Sequence, residues 1–233
     1  MSERPEAYGY DRETWDRATA GARAAASGAI FGRVMFLVAV TAAFCAAGAY
    51  VGRDLSGAWA LGCFIIALLL TLGVSFSRRQ GEVGALQMTL LFAVGLFLGL
   101  GVGPGLDAYA SLSNGGEIIA QAAGATALFM GVLGAIGYTT SRDLSRLGRV
   151  SFFALIGLLV FGIVAIFVTI PGGRVIYAVL GLVIFAGLTL FDFWRLRRAG
   201  EADVAIIALS IFLDAFNVFL FFLQLLGGGA NRD

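Results

Sequence analysis

The chain has 233 residues, 59% of them hydrophobic and only 13% charged, with a formal net charge of +1 and a mean hydropathy of +0.90. A water-soluble domain carries roughly 25% charged residues, so this composition excludes one and describes an integral membrane protein. Nothing in the charge balance calls for a nucleic-acid partner; the expected surroundings are a lipid bilayer.

Residues 1–29 are polar and arginine-bearing, with Trp15 and five acids among them. They predict a flexible cytoplasmic tail lying near the anionic inner leaflet, not a cleavable signal segment. Residues 30–228 predict one compact all-α domain of seven transmembrane helices, and 229–233 a short tail. The seven hydrophobic stretches cover 34–51, 58–76, 83–102, 118–138, 150–170, 175–193 and 204–226. Each has roughly 18–23 residues, which at a 1.5 Å rise suits a hydrocarbon core of about 30 Å.

The first two stretches hold Cys45 and Cys63, which read as small apolar packing residues near the outer boundary. The third repeats glycine every four residues (Gly95, Gly99, Gly103), and the fourth carries Gly131, Gly134 and Gly137. Such spacing lets helices approach closely. No glycine-rich turn leads into Lys-Ser or Lys-Thr, so there is no phosphate loop. Asp54, Asp107 and Glu117 fall in outer loops as ordinary solvated charge.

Arginine sets the orientation, because the chain contains no lysine. Thirteen arginines lie in the tail, at the start of the first stretch and after stretches two, four and six. The other side has only Arg53, Arg174 and Arg232. Positive-inside logic places the N-terminus in the cytoplasm and, with seven spans, the C-terminus outside a plasma (inner) membrane. The missing lysine also excludes a retinal Schiff base. With no histidine present, His-ligated zinc or haem and serine–histidine proteolysis are excluded too. Neither an enzyme nor a resident cofactor is expected, and proton sensing must use carboxylates.

The seventh stretch carries a polar seam. Ser210, Asp214, Asn217 and Gln224 follow spacings of 4, 3 and 7, which at 100° per residue form one narrow stripe. Phe221 completes it, and Asp203 continues it at the cytoplasmic mouth. Ile211, Phe212, Phe219 and Phe222 occupy the opposite, apolar face. The polar stripe predicts a helix turned toward the bundle interior or a water-filled path. For Ser210, Asn217 and Gln224, hydrogen bonding to neighbouring helices is explanation enough. Asp214 is different: a carboxylate in mid-membrane costs at least ~2.5 kcal/mol and marks a functional site.

Asp192, closing the sixth stretch, is its candidate partner. On an antiparallel hairpin the two are level if the turn centres at residue 203. Gly200 as C-cap and Asp203 as N-cap would centre it nearer 201, an offset of about 4 residues or ~6 Å of rise. Contact is therefore left open by the sequence. If the pair meets, both carboxylates cannot ionise cheaply, so they share a proton and titrate as a unit. Deprotonated, they repel or hold a hard cation such as Ca²⁺ transiently.

The stretch ALSIFLDAFNVFLFFLQLLGG, residues 208–228, resembles the last helix of the Bax inhibitor-1 family, also called the transmembrane Bax inhibitor motif family. FDFWR at 191–195 resembles the aromatic-Asp pair ending that family's sixth helix. GYTTSRDLSRLG at 137–148 is similar to its loop between helices four and five, and Thr126 stands at a family-like place. Phe193 and Trp194 depart from the usual Thr-Gln-like pair. The second stretch also lacks the arginine that braces the closed state in a bacterial relative.

The resemblance implies a bacterial member with helix seven central and six helices around it. It further implies a pH-sensitive calcium leak whose di-aspartyl sensor maps to Asp192 and Asp214, passing Ca²⁺ and protons. The alternatives are a non-conducting regulator that binds other membrane proteins, in stress or quality control, and a proton-coupled transporter. A monomer is expected.

Overall fold

A computed structural model of the chain describes residues 12–77, 84–168 and 171–228. Among these the architecture is all-helical: α1 (Arg12–Gly52), α2 (Gly57–Ser77), α3 (Ala85–Ala110), α4 (Gly115–Thr139), α5 (Ser145–Phe167), α6 (Gly173–Leu196) and α7 (Val204–Gly227), with a 3-10 turn at Glu201–Asp203 before the last. All seven helices are long and apolar enough to cross a membrane. Arg4, Arg78, Arg79, Arg232, the expected starts and ends at residues 83 and 170, and the 229–233 tail lie outside the described residues.

Several boundaries differ from the sequence expectations, and α5 begins at Ser145, five residues ahead of the expected start. The helix that contains the first span begins at Arg12, inside the expected flexible tail. Seven alanines between positions 12 and 29 favour helix strongly enough to carry it beyond the apolar stretch. Helix α3 runs past residue 102 and through Pro104 to Ala110. Gly200 does not cap α6, which ends at Leu196 with Arg197 as its C-cap; Gly200 instead opens the 3-10 turn.

Helix α3 packs against α1 and α2, and α6 packs against α4 and α5, so each group of three is organised on its last member. Helix α7 packs against α6, α4 and α1, with smaller contacts to α3 and α2; α5 is held by α6 rather than by α7, so the expected ring of six helices around α7 is not what these contacts give. It is the most enclosed helix, with half of its span buried. The expected glycine approach in α3 is present. A Cβ on Gly99 would collide with the Cys45 carbonyl of α1, and one on Gly103 would sit 2.7 Å from the Ala49 oxygen. In α4, Gly134 faces the Phe193 ring and Gly137 the Leu190 backbone, whereas Gly131 faces open space. The stripe in α4 is thus only partly a packing surface.

Large apolar side chains face outward on the peripheral helices, among them Leu68, Leu69, Phe153 and Val183. An exposed apolar surface of this extent suits hydrocarbon rather than water. Cys45 and Cys63 are free thiols. In the turn before α5, Asp143 accepts from both the hydroxyl and the N–H of Ser145, at 2.6 and 2.9 Å. Those hydrogen bonds hold its carboxyl below the usual carboxylate range. The α5–α6 connection turns through Gly172, whose φ of 71° is left-handed and favours glycine.

Candidate functional site

Thr189, Asp192 and Arg195 follow one another every third residue on α6, which keeps all three on one side of the helix. Ser210 and Asp214, four apart on α7, face them. The Thr189 hydroxyl donates to Asp214 Oδ2 at 3.4 Å and also lies 3.5 Å from Met130 Sδ of α4. One hydroxyl has one proton, and a carboxylate is the stronger acceptor of the two. Arg195 Nη1 stands 3.8 Å from Asp192 Oδ1, while its Nη2 donates to Ser210 Oγ at 3.5 Å.

Asp192 is 7% exposed and Asp214 4%. Both therefore lie in the buried polar contact between α6 and α7. Thr189 meeting Asp214 and Arg195 meeting Ser210 define the register of the hairpin. Asp192 is then level with about Phe212, roughly two residues or ~3 Å of rise short of Asp214. The displacement is about half of that expected from the turn.

The other seam residues are distributed along α7. Asn217 donates to the Leu213 carbonyl of its own helix at 2.7 Å. Gln224 donates to the Arg174 carbonyl at the start of α6, 3.2 Å away. Asp203 accepts from the Gly200 N–H at 3.3 Å and, with Arg195 and Arg198, lines a cavity of about 180 Å³ beside the α6–α7 turn. The seam therefore faces α6. The opposite face is also enclosed, since Ile211 and Phe212 are buried in the main core. A buried flank on both sides follows from the packing of α7 against helices of both groups.

Between the carboxylates and the far end of the bundle lies an apolar layer of Leu158, Ala178, Phe185, Val218 and Phe221. The Phe221 ring occupies the space that a Cβ on Gly181 would need. Beyond this layer opens a cavity of about 470 Å³ lined by Tyr109, Arg174 and Gln224.

Thr189 and Arg195 were not singled out by the sequence reading, which counted Arg195 only as an orienting charge. The signal was present: the helical-wheel argument applied to α7 also aligns Thr189, Asp192 and Arg195 on α6. Among the described residues no three carboxylate or thiol groups gather as a metal cage. Ca²⁺ takes six to eight oxygens, so a pair of aspartates would hold it only with water completing the shell.

The family described as "Inhibitor of apoptosis-promoting Bax1" matches residues 29–232. A protein of Chlamydia muridarum is 32% identical over 205 residues, covering 80% of this chain and 82% of its own. One from Caulobacter vibrioides is 32% identical over 179 residues, covering 72% and 67%. The Escherichia coli K12 protein named "Modulator of FtsH protease YccA" is 28% identical over 169 residues, covering 72% and 76%. With the match running through all seven helices and the α6–α7 carboxylate hairpin, the chain belongs to the Bax inhibitor family of membrane proteins.

Proposed function

We propose that this protein is a pH-sensitive calcium leak of the bacterial inner membrane, gated by Asp192 and Asp214. The observation that carries the reading is a buried carboxylate on each of the packed helices α6 and α7. Each is flanked by a group that ties the two helices together, Thr189 at Asp214 and Arg195 at Asp192. Burying such acids is costly, which marks them as a functional site. A proton held between them keeps the hairpin closed on itself. Its loss leaves two anions in a poorly solvated place, and either the helices separate or a cation enters.

The arginine distribution supports an N-terminus in the cytoplasm, which puts the Asp203 cavity at the cytoplasmic mouth and the Gln224 cavity outside. Phe185, Val218 and Phe221 then seal the route on the outer side of the carboxylates, and Arg195 stands on the inner side. The inner-membrane assignment draws on the Escherichia coli O6:H1 relative named "Inner membrane protein YccA". In proteoliposomes loaded with a calcium dye, Asp214→Asn removes the pH dependence of flux. Flux and pH profile both unchanged from wild type would take the pair out of the mechanism.

A second reading is favoured by one observation, the relative named as a modulator of a protease. On it, this protein binds another membrane protein and does not conduct. A partner co-purifying in detergent, together with no calcium flux in proteoliposomes, selects this reading.

A further inference from the structure

Helices α1 and α4 touch at the end nearest the α6–α7 turn, where Ser27 Oγ and Tyr138 Oη share a hydrogen bond of 3.0 Å and Phe31 packs edge-on to the Tyr138 ring. Above this bridge they part. The gap is a groove of about 530 Å³, within the range of ligand-holding pockets. Met35 and Val38 form one wall, Met130 and Gly131 the other, and Ile211 and Ala215 of α7 the floor. Neither Gly28 nor Gly131 has an atom within 4 Å of where a Cβ would stand, so both open onto free space.

The shape and lining suit an extended chain. Residues 28–38 of α1 span about 15 Å at 1.5 Å per residue. Along that length the walls are apolar side chains and glycines, as a hydrocarbon chain requires. At the polar end, the Arg197 guanidinium donates to the Thr139 carbonyl at 3.2 Å. It thereby offsets the negative C-terminus of α4, with further N–H donors left over. Arg142 adds an exposed positive charge just beyond Thr139, with no ion-pair partner among the described residues. An apolar slot ending in hydroxyls and guanidinium groups complements one ligand chemistry.

We propose that the α1–α4 groove binds an anionic phospholipid, one acyl chain in the slot and the phosphate at the Ser27, Tyr138 and Arg197 end. The test uses the full chain in nanodiscs of equal phosphatidylglycerol and phosphatidylcholine, with native mass spectrometry counting the lipids that stay bound after release. Wild type is expected to retain phosphatidylglycerol several-fold over phosphatidylcholine. Gly131→Phe, which fills open space, and Gly28→Leu on the facing wall are expected to lose the retained lipid while keeping the wild-type unfolding midpoint. Arg197→Gln is expected to keep a bound lipid but lose the headgroup preference, and Arg197→Lys to restore part of it. Equal retention of both lipids by wild type would overturn the proposal, as would retention unaffected by either groove-filling variant. The readout is binding, so it stands apart from the fate of the calcium reading.

Discussion

Arg195 stands three residues beyond Asp192, and its guanidinium reaches across to Ser210 of α7. Among the described residues it is the cation that joins the polar contact between these helices, so it acts on the carboxylate site and on the hairpin together. Arg195→Gln takes a cation away from Asp192 and so favours the protonated, closed pair; it is expected to move the midpoint of the flux profile to higher pH, measured in the same proteoliposomes. A residue with only a packing role would change the amount of folded protein and leave that midpoint in place. Asn217 makes the opposite case. Its amide is satisfied by the Leu213 carbonyl one turn below, so Asn217→Ala is expected to leave the pH profile as it is. The seam thus contains residues of two kinds, and the wheel projection alone does not separate them.

Pairs of helices here are held by backbone approach at some positions and by aromatic insertion at others. Along α1 and α3 the glycines bring main chain against main chain, with Gly95, Gly99 and Gly103 all lacking room for a side chain. Gly99→Ala is expected to cost about 1–3 kcal/mol through overpacking, seen as a lowered unfolding midpoint in detergent. Gly131→Ala in α4, facing open space, is expected to leave the midpoint unchanged. Between α6 and α7 the contact is made by Phe221 seated on Gly181. On the channel reading this ring is part of the outer seal. Phe221→Ala is expected to give a leak that persists at pH values where wild type is shut, at a stability cost of about 3–5 kcal/mol. A tight, fully pH-controlled flux in folded Phe221→Ala would place the seal elsewhere.

At the scale of the molecule, α7 packs against helices of both groups of three, and the position of that helix explains why its sequence reads as it does. It is the most enclosed span and carries both the polar seam and a buried apolar flank. Seven spans, the all-helical class, the family and the candidacy of Asp192 and Asp214 were legible from the chain alone; whether the two meet was not. Hydrophobic length is a local property, and a carboxylate amid apolar residues stands out without any knowledge of its neighbours. The Ser27–Tyr138 bridge, the open slot at Gly131 and the reach of Arg195 to Ser210 depended on tertiary structure. Each joins residues of different helices, and its geometry is set by helix rotation and register. Those variables follow from packing summed over the whole bundle. The Asp192–Asp214 offset shows the division: the turn residues alone imply about 6 Å of rise, whereas the Thr189–Asp214 and Arg195–Ser210 contacts of the packed hairpin correspond to ~3 Å.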